Sequence, residues 1–335
     1  MSTPQQPGRP AVLVTGGAGY VGSHVCKALH NAGFLPVTLD NLATGHRWAV
    51  KWGPLEIGDV RDSGFVESVL RRTRATAVLH FAALSLVGAS AKQPFDYYDV
   101  NVNGALSLSH AMRQCGVRRL VFSSTCAVYG MPERMPIEET APTQPVNVYG
   151  RTKLAAENLF SDLARAGELD VVMLRYFNAS GADRDGEIGE AHDPESHLIP
   201  LAIQAALDQG TPLSVFGTDY ATPDGTCLRD YIHVEDLADA HLKALKLLES
   251  KPGAHVFNLG TGIGVSVRQV LAAVGKAAGK AVPVVESPRR EGDAPQLYAS
   301  PAKAERELGW RAGATDIESM VSSALNWHRK VRSAA

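Results

Sequence analysis

The sequence Ala11-Val12-Leu13-Val14-Thr15-Gly16-Gly17-Ala18-Gly19-Tyr20-Val21-Gly22 lies near the start of the chain. Its first five residues are apolar or β-branched and predict a buried strand, and residues 20–32, closed by Gly33, predict a helix. The glycines at positions 16, 19 and 22 permit a tight turn and let backbone amides approach a phosphate at the helix N-terminus. The stretch therefore predicts the first strand, phosphate-binding turn and helix of a dinucleotide fold.

Short apolar runs continue along the first half of the chain, with helical stretches between several of them. They comprise residues 36–40, 55–59, 77–81, 120–123 and 171–175. Alternating strands and helices are typical of a doubly wound parallel sheet. The predicted fold class is therefore α/β, a Rossmann sheet with a second, smaller α/β substrate-binding domain.

The alternation of predicted strands and helices becomes less regular after about Asn178, where the chain becomes rich in Gly, Asp, Glu and Pro. We place a domain boundary there. Residues 11–178 are expected to form the dinucleotide-binding domain and residues 179–335 the second domain, with about 229–248 returning to the first. Residues 1–10 are polar and Pro-rich, which predicts a disordered tail and not a signal peptide.

Composition limits the possible partners. The 335 residues are 45% hydrophobic and 20% charged, as in an ordinary soluble globular protein, and the net charge is −2. Nucleic acid and membrane are therefore not expected as partners, and no apolar run approaches the roughly 18 residues that span a bilayer. The four cysteines are widely separated, without disulfide or zinc spacing, so a cytoplasmic location is expected.

A tyrosine and a lysine stand four residues apart, at Tyr149 and Lys153. This offset places both side chains on one helix face, where the ammonium can lower the pKa of the phenol from its free value of about 10. An isolated pair of this kind is more often an exposed cation beside an aromatic ring. Here Thr125 adds a hydroxyl at the end of a predicted strand upstream. Together with the glycine-rich turn of residues 16–22, the Tyr/Lys pair predicts proton abstraction from an alcohol beside a nicotinamide.

Asp40 ends the second predicted strand. A carboxylate there can accept hydrogen bonds from both ribose hydroxyls of an adenosine and would repel a 2′-phosphate, so NAD is expected rather than NADP. Arg47, a few residues downstream, is the nearby cation that argues the other way. Asp40 could also be a carboxylate that only starts a turn.

Residues 15–24, 40–42, 80–83, 174–178 and 229–234 form motifs that are shared widely. Residues 225–231, Gly-Thr-Cys-Leu-Arg-Asp-Tyr, and 288–293, Pro-Arg-Arg-Glu-Gly-Asp, are closer to specific for sugar-nucleotide 4-epimerases. Together these motifs resemble the UDP-glucose 4-epimerases, a family of the extended short-chain dehydrogenase/reductase superfamily. The resemblance runs from about residue 11 to residue 330.

The resemblance implies an isomerase with tightly bound NAD, which interconverts UDP-glucose and UDP-galactose through a transient 4-keto sugar. Tyr149 would take the proton of the sugar 4-hydroxyl, Lys153 would hold the nicotinamide ribose, and Thr125 would share the proton path in place of a serine. By the same resemblance, cofactor contacts are expected from Gly16, Gly19, Tyr20, Val21, Gly22, Asp40, Asn41, Asp59, Val60, Phe81, Ala82, Ala83, Ser85, Tyr149, Lys153 and Tyr176. Substrate contacts are expected from Thr125, Asn178, His197, Leu198, Phe216, Arg229, Tyr231, Arg290, Asp293 and Leu297.

Two positions depart from the family pattern. Ser85 stands where some members carry a cofactor-contacting lysine, and Val100 stands where they carry an asparagine. Cofactor retention is therefore expected to be weaker here or achieved differently. Neither change removes a group that does chemistry.

Several histidines invite a metal interpretation, but we predict no metal. His192, Asp193, Glu195 and His197 match no common metal-ligand spacing, and we interpret them as a solvated loop with His197 bordering the diphosphate.

Three alternatives stay open. UDP-N-acetylglucosamine or a UDP-pentose could be the substrate. For the N-acetylated sugar, the relevant residue is Leu297, which stands where glucose/galactose-restricted relatives have a tyrosine and members that accept N-acetylated sugars have a smaller residue. Dehydratases and decarboxylases on the same scaffold place an acidic residue directly after the strand-end hydroxyl, where this chain has Cys126 and Ala127. A non-catalytic NAD-sensing protein would be expected to lack the Tyr/Lys pair.

Residues 94–115 and 148–166 carry apolar positions at helical spacing. Relatives pair through two long helices of the nucleotide domain, so a homodimer is expected. Burial against the chain's own sheet would explain part of the pattern equally well.

Overall fold

The structure is a computed structural model that describes residues 8–208, 210–290 and 292–333, with residues 332 and 333 by backbone only. Residues 1–7 of the predicted tail lie outside the described residues. Contacts within the chain divide it into two compact units. The first comprises residues 8–130, Thr143–Arg175 and Ala238–Phe257. The second comprises Met131–Pro142, Tyr176–Leu237 and the described residues from Asn258 onward.

The strands, in chain order, are β1 (Ala11–Thr15), β2 (Leu35–Asp40), β3 (Leu55–Ile57), β4 (Ala77–His80), β5 (Arg119–Thr125), β6 (Asp170–Tyr176), β7 (Asn178–Ser180), β8 (Leu213–Phe216), β9 (Leu228–Arg229), β10 (Tyr231–His233), β11 (Ala254–Leu259), β12 (Val265–Ser266), β13 (Val284–Ser287) and β14 (Gln296–Leu297). The α-helices are α1 (Tyr20–Asn31), α2 (Ser63–Thr73), α3 (Val87–Ser90), α4 (Pro94–Tyr98), α5 (Gly104–Cys115), α6 (Val148–Arg165), α7 (Leu198–Ala206), α8 (Val234–Ser250), α9 (Val267–Ala278) and α10 (Ile317–Ser333). None of the described helices combines the length and the apolar content that crossing a membrane requires.

Seven strands form one sheet in the order β11-β6-β5-β4-β1-β2-β3. β1 pairs in parallel with β2 and with β4, β2 with β3, and β4 with β5. The strand order turns back at β1 and β4, as in a doubly wound sheet, so the predicted fold class is confirmed. Because the strands are parallel, the carboxyl ends of β1, β4 and β5 lie side by side along one edge of the sheet.

The centre of this sheet is fully buried. All five residues of β1 are buried, and Leu13, Val78 and Leu120 on neighbouring strands have no exposed surface. Helices α2 and α5 add Val69 and Leu108 to the same core. Strands that are apolar along their whole length are typical of parallel sheets covered on both faces.

The second unit combines short sheets with helices. β7 pairs with β10, β8 pairs with β13, and β9 lies between β12 and β14. Helices α7, α9 and α10 contribute Ile203, Val274 and Val321 to one apolar core. α9 begins with a capping box, in which Ser266 Oγ accepts a hydrogen bond from Gln269 N while Ser266 N donates to Gln269 Oε1.

Candidate active site

The turn after β1 requires glycine at two positions. Gly16 has φ of +72°, and a Cβ there would lie 2.6 Å from the backbone nitrogen of Ala82. A Cβ on Gly22 would lie 2.3 Å from the carbonyl oxygen of Gly16. α1 then begins at Tyr20 with no side-chain cap at Gly19 and no acidic residue in its first turn. Backbone amides and the helix dipole make this turn suitable for an anionic group such as a pyrophosphate.

Asp40 is held in place at the carboxyl end of β2. Its Oδ2 accepts a hydrogen bond from Ala18 N at 3.0 Å, and its Oδ1 accepts one from Leu42 N at 2.8 Å. Burial raises the pKa of Asp40, and the two amide hydrogen bonds oppose that rise. A carboxylate has about four acceptor sites, so Asp40 can also accept hydrogen bonds from ribose hydroxyls.

Asn41 and Asp59 are brought together at the ends of β2 and β3. Asn41 Nδ2 donates to Asp59 Oδ2 at 3.0 Å, and Arg61 donates to the same carboxylate from Nε and Nη2, both at 2.8 Å. The hydrogen bonds from Arg61 hold the pKa of Asp59 well below its usual range. Asp59 is therefore an ionised and oriented hydrogen-bond acceptor.

Of the two other residues considered near the adenosine, Val60 is buried, whereas Arg47 is exposed.

The chain leaving β4 lies against the glycine turn. Phe81 N and Ala82 N both donate to Thr15 O, at 2.9 and 3.1 Å. Phe81, Ala82 and Ala83 are half-buried, and Ser85 is exposed. Phe81 and Ala82 thus lie beside the end of β1 and Gly16.

Asn101 was not predicted from the sequence, but its side chain links two parts of the site. Its Oδ1 accepts a hydrogen bond from Leu84 N at 2.8 Å, and its Nδ2 donates to Leu84 O and to Thr152 Oγ1, both at 3.0 Å. Thr152 directly precedes Lys153 on α6. The buried Asn101 side chain therefore joins the loop after β4 to the helix with the Tyr/Lys pair.

α6 carries Tyr149 and Lys153 one turn apart. The helix begins after Asn147, whose side chain accepts a hydrogen bond from Gly150 N at 2.7 Å. Tyr149 lies in the first turn and is half-buried. The cap therefore fixes the helix backbone at Tyr149, which carries the phenol.

Lys153 ties α6 to the end of β5. Its side chain is buried, and its Nζ donates to Ser123 O at 2.9 Å and lies 4.8 Å from the centre of the Phe122 ring. Burial lowers the pKa of Lys153 to about 7, against the raising effect of Glu157. Thr125 ends the same strand, and its Oγ1 accepts a hydrogen bond from Ala127 N at 3.1 Å. The predicted catalytic hydroxyl and lysine are therefore both anchored at the end of β5.

A buried polar network lies behind this face of α6. Arg175 Nε donates to Glu157 Oε1 at 2.9 Å, and its Nη2 donates to Oε2 of the same carboxylate. Ser124 Oγ also donates to Glu157, and Arg175 Nη1 donates to the Tyr129 hydroxyl at 2.9 Å. Glu157 is one turn beyond Lys153, a position without a local sequence signal. The network joins α6 to β5, to β6 and to the turn after β5.

His80 lies close to this region but is not placed to act as an acid. Its Nδ1 is 2.7 Å from Thr15 Oγ1, and its ring stacks on Phe122. Burial, with the nearby charge of Lys153, lowers the pKa of His80 to about 3. The ring is therefore neutral at physiological pH.

In the second unit, three predicted substrate residues lie together. Arg229 Nη2 donates to Asp293 Oδ1 at 3.0 Å, and its Nη1 donates to the carbonyl oxygens of Leu228 and Ala294. Leu297 on β14 pairs with Arg229 on β9. The structure therefore groups a guanidinium, a carboxylate and the predicted specificity position.

Two further pairs of predicted substrate residues are in contact. The Arg290 guanidinium stacks on the Phe216 ring, 3.9 Å from its centre. Asn178 on β7 pairs with Tyr231 on β10, and burial raises the pKa of the Tyr231 hydroxyl.

The remaining predicted residues lie elsewhere. Tyr176 is the last residue of β6, and Leu198 is the first residue of α7. His197 belongs to a cluster with Glu190, His192 and Glu195. The segment is exposed at Asp193, Ser196 and His197, as expected for a solvated loop, whereas the Glu190 and Glu195 side chains are only 6% and 7% exposed.

Comparison with known proteins gives consistent findings. Residues 12–260 match the sequence model of the NAD dependent epimerase/dehydratase family. A UDP-glucose 4-epimerase of Rhizobium leguminosarum bv. trifolii is 49% identical over 319 residues, which cover 95% of this chain and 97% of the relative.

Two solved structures are similar along nearly the whole chain. The UDP-glucose 4-epimerase of Brucella ovis in complex with NAD is 48% identical, with a TM-score of 0.92, and covers 95% of this chain and 98% of its own. The enzyme of Stenotrophomonas maltophila, with bound NAD and formylated UDP-arabinopyranose, is 41% identical, with a TM-score of 0.94, and covers 98% and 100%.

Proposed function

The chain belongs to the NAD dependent epimerase/dehydratase family, and from this premise we propose that it interconverts UDP-glucose and UDP-galactose. The observation that carries the proposal is the joint placement of Tyr149 and the buried Lys153 on α6, with Lys153 Nζ bonded to Ser123 O at the end of β5. Parallel pairing puts this end beside the ends of β4 and β1. A proton acceptor and a dinucleotide turn thus share one sheet edge.

The residues along this edge fit NAD. The turn whose Gly16 and Gly22 leave no room for a Cβ would hold the pyrophosphate, with the α1 amides of Tyr20 and Val21. Asp40 would bind the adenosine ribose. Other contacts would come from Gly19, Asn41, Asp59, Val60, Phe81, Ala82, Ala83, Ser85 and Tyr176. When bound, NAD would supply an acceptor for the hydride of sugar carbon 4 and would return it to the opposite face of the 4-keto sugar.

Tyr149 is proposed to remove the proton of the 4-hydroxyl and to give it back. The neighbouring Lys153 ammonium favours the phenolate form of Tyr149 by charge attraction. Thr125 offers a hydroxyl at the end of β5 that can pass the proton, and its extra methyl restricts the rotamer of that hydroxyl. Epimerisation then requires only that the 4-keto sugar turns over while its nucleotide stays bound.

The second unit is proposed to bind the nucleotide. Arg229 and Arg290 suit the diphosphate, because a guanidinium offers paired donors. Asp293 would accept from the uridine ribose, and Phe216 would lie against the uracil. Asn178, His197, Leu198, Tyr231 and Leu297 would complete the contacts.

One alternative has direct support from a neighbour. The Stenotrophomonas enzyme has a formylated UDP-arabinopyranose bound, so a UDP-pentose stays a second candidate substrate, alongside UDP-N-acetylglucosamine. Elimination or decarboxylation is disfavoured, because Cys126 and Ala127 follow Thr125 where those enzymes need an acid. We further propose that the chain acts in the cytoplasm as a homodimer.

Incubation with UDP-galactose and NAD, with the products separated by chromatography, tests the function. We expect UDP-glucose to form without net accumulation of reduced cofactor. Tyr149→Phe should lower turnover by at least about 10²–10⁴-fold, because general-base assistance is lost, while NAD binding survives. A 4-keto product that accumulates, or a Tyr149→Phe variant with near wild-type turnover, would contradict the proposal.

A further inference from the structure

The end of β5 contacts α6 at two successive residues. Ser123 O accepts a hydrogen bond from Lys153 Nζ at 2.9 Å. The next residue, Ser124, donates from its Oγ to Glu157 Oε1. Thr125, with the proposed proton-passing hydroxyl, follows directly and ends the strand. Because Ser124 lies between these two residues, a contact that fixes Ser124 also limits the movement of the lysine contact and of the hydroxyl.

The hydrogen bond between Ser124 and Glu157 is shielded from water. The two residues are only 1% and 3% exposed. A hydrogen bond to an ionised carboxylate is about twice as strong as one between neutral groups. At this depth water cannot replace a lost partner, so the contact is costly to break. It therefore holds the end of β5 in one position relative to α6.

Arg175 holds the Glu157 carboxylate in one orientation. Its Nε donates to Oε1 at 2.9 Å and to Oε2 at 3.2 Å, and its Nη2 donates to Oε2. The guanidinium is held in turn by the Tyr129 hydroxyl, which accepts from Nη1 at 2.9 Å. Because both carboxylate oxygens are engaged, Oε1 stays directed at Ser124.

The Glu157 carboxylate also acts on Lys153 by its charge. The two residues are one turn apart on α6, and both are buried. The carboxylate opposes the effect of burial by raising the pKa of Lys153. The other titratable groups around Lys153 include Tyr149 on α6, His80 on β4, whose pKa burial lowers to about 3, and Arg175 on β6, which is paired with Glu157. Among the described residues around Lys153, Glu157 is therefore the anion that favours its ammonium form.

We propose that Glu157 is a positioning residue for the proposed epimerisation: it fixes the end of β5 through Ser124, and its charge favours the Lys153 ammonium. The inference rests on the proposed function, because it concerns the groups that act on the sugar 4-hydroxyl. Glu157 itself exchanges no proton with the substrate. It acts by keeping Lys153 and Thr125 in place, and a displacement of about 1 Å at such groups can cost on the order of 100-fold in rate.

Ser124→Ala removes the hydrogen bond to β5 and leaves the ion pair of Glu157 and Arg175 in place. We expect kcat for the conversion of UDP-galactose to fall by about 10–100-fold, because Lys153 and Thr125 are held less precisely. KM should stay near the wild-type value, since the proposed nucleotide contacts lie in the second unit and are not changed. Initial rates at several UDP-galactose concentrations, with saturating NAD, give both constants.

Ser161→Ala is the matched control on the same helix. The Ser161 hydroxyl donates to Met173 Sδ on β6 at 3.8 Å, so it also joins α6 to a neighbouring strand. This contact is to β6 and not to the end of β5. The variant should therefore keep the kcat and KM of the wild type.

Glu157→Gln separates the charge from the hydrogen bond, because the amide oxygen can still accept from Ser124. Without the carboxylate the pKa of Lys153 should fall further, and the phenolate of Tyr149 loses the charge that favours it. The acidic limb of the kcat profile, recorded between about pH 6 and about pH 9, should therefore move to higher pH in Glu157→Gln and keep its position in Ser124→Ala. The assays are run below the unfolding midpoint of each variant, where a merely structural effect would leave the limb unmoved.

Two results would overturn the proposal. A Ser124→Ala variant with wild-type kcat, or with the same loss as Ser161→Ala, would show that the contact to β5 does not position the reacting groups. An acidic limb at the wild-type pH in Glu157→Gln would show that the charge does not act on Lys153, and if that variant does not fold, Ser124→Ala decides alone. A wild-type chain that does not convert UDP-galactose would instead contradict the proposed function, so the two failures are distinguishable.

Discussion

The Lys153 side chain has to meet two requirements, burial and a positive charge. It must stay buried to reach Ser123 O at 2.9 Å, and it must carry charge to favour the phenolate of Tyr149. These demands conflict, because burial disfavours the ammonium and lowers the pKa of Lys153 to about 7. The lysine charge therefore changes close to physiological pH.

This pKa predicts how stability depends on pH. The folded-state pKa of Lys153, about 7, lies below the ordinary value of 10.5, so the unfolded state binds more protons between these values. The destabilising effect of Lys153 is thus complete below about pH 7 and fades as pH rises towards 10. Lys153→Met should therefore gain stability relative to wild type most strongly at and below about pH 7, with the gain shrinking towards pH 10, and urea unfolding at several pH values checks this. A stability difference that does not change with pH would contradict it.

Leu297 leads to a prediction about substrate size. It pairs with Arg229 beside the proposed nucleotide contacts, and leucine is smaller than the tyrosine of restricted relatives. UDP-glucose and UDP-galactose should be preferred, with poorer turnover of UDP-N-acetylglucosamine, because a few methylene-sized volumes discriminate by about 1–3 kcal/mol. Leu297→Tyr should depress kcat/KM for the N-acetylated substrate selectively. An unchanged ratio of the two kcat/KM values would remove Leu297 from the pocket.

Single residues differ in how far sequence can predict them. The need for glycine at 16 and 22 follows from a local strand, turn and helix, so it can be inferred from the sequence alone. Asn101 and Glu157 could not be inferred in this way, because their partners Thr152 and Arg175 are 51 and 18 positions away and depend on how α6 lies on the sheet.

Among the elements, α6 is held by the buried pair of Glu157 and Arg175. This pair sits directly behind Lys153 and also contacts β5 through Ser124. Its side chains are only 4% and 8% exposed, so solvent cannot replace a lost partner. The position of α6 therefore depends on both charges being present.

Removing one charge of this pair should be strongly destabilising. Glu157→Gln leaves a buried, unpaired guanidinium and should lower the free energy of unfolding by about 3–5 kcal/mol. The matched control is Asp162→Asn on the same helix, which breaks the exposed pair with Arg165 and should lower it by at most about 1 kcal/mol. Urea denaturation measures both. Equal losses in the two variants would show that the Glu157 pair does not anchor α6.

Elements with regular periodicity were predictable, and their ends were less so. β1 has the predicted bounds. β3 ends at Ile57 instead of residue 59, because the last residue pair between β2 and β3 is Asp40 with Ile57. The segment before α7 was predictable only in part. Asp193 and His197 are exposed as expected, but the contact of Glu190 with Trp327 of α10, 137 positions later, could not be inferred locally.

At the scale of the whole molecule, α5 has one face buried and another exposed. Leu108 and Met112 belong to the core of the first unit, which accounts for part of the helical pattern in residues 94–115. Leu106 on α5 is 55% exposed, and Phe95 on α4 is 79% exposed. An association of two chains through this helix would bury these apolar side chains.

The proposed homodimer would use this exposed face. Sedimentation at micromolar concentration should show a species of twice the 35.7 kDa chain mass. Leu106→Arg should shift it towards the monomer, whereas Ile263→Arg, at a residue of the second unit that is 48% exposed, should not. Only a monomer in the wild-type sample, or equal behaviour of the two variants, would refute the dimer.

The division into units follows contacts that are distant in sequence. Residues 238–257 belong to the first unit because β11 joins the sheet beside β6. The local composition does not predict this pairing. The parallel pairing of β1 to β5 was predictable because α-helices lie between most of the successive strands, although β2 and β3 are joined without one.

The ion pair of Arg229 and Asp293 affects how strongly the chain attracts small anions such as inorganic phosphate. A solitary arginine would attract inorganic phosphate and other small anions, but Arg229 already has a carboxylate 3.0 Å from its Nη2. The two opposite charges leave little net attraction for a stray anion. A ligand that offers a diphosphate to the guanidinium and hydroxyl donors to the carboxylate satisfies both groups at once. At the proposed nucleotide site, this pair would therefore favour nucleotides over simple anions.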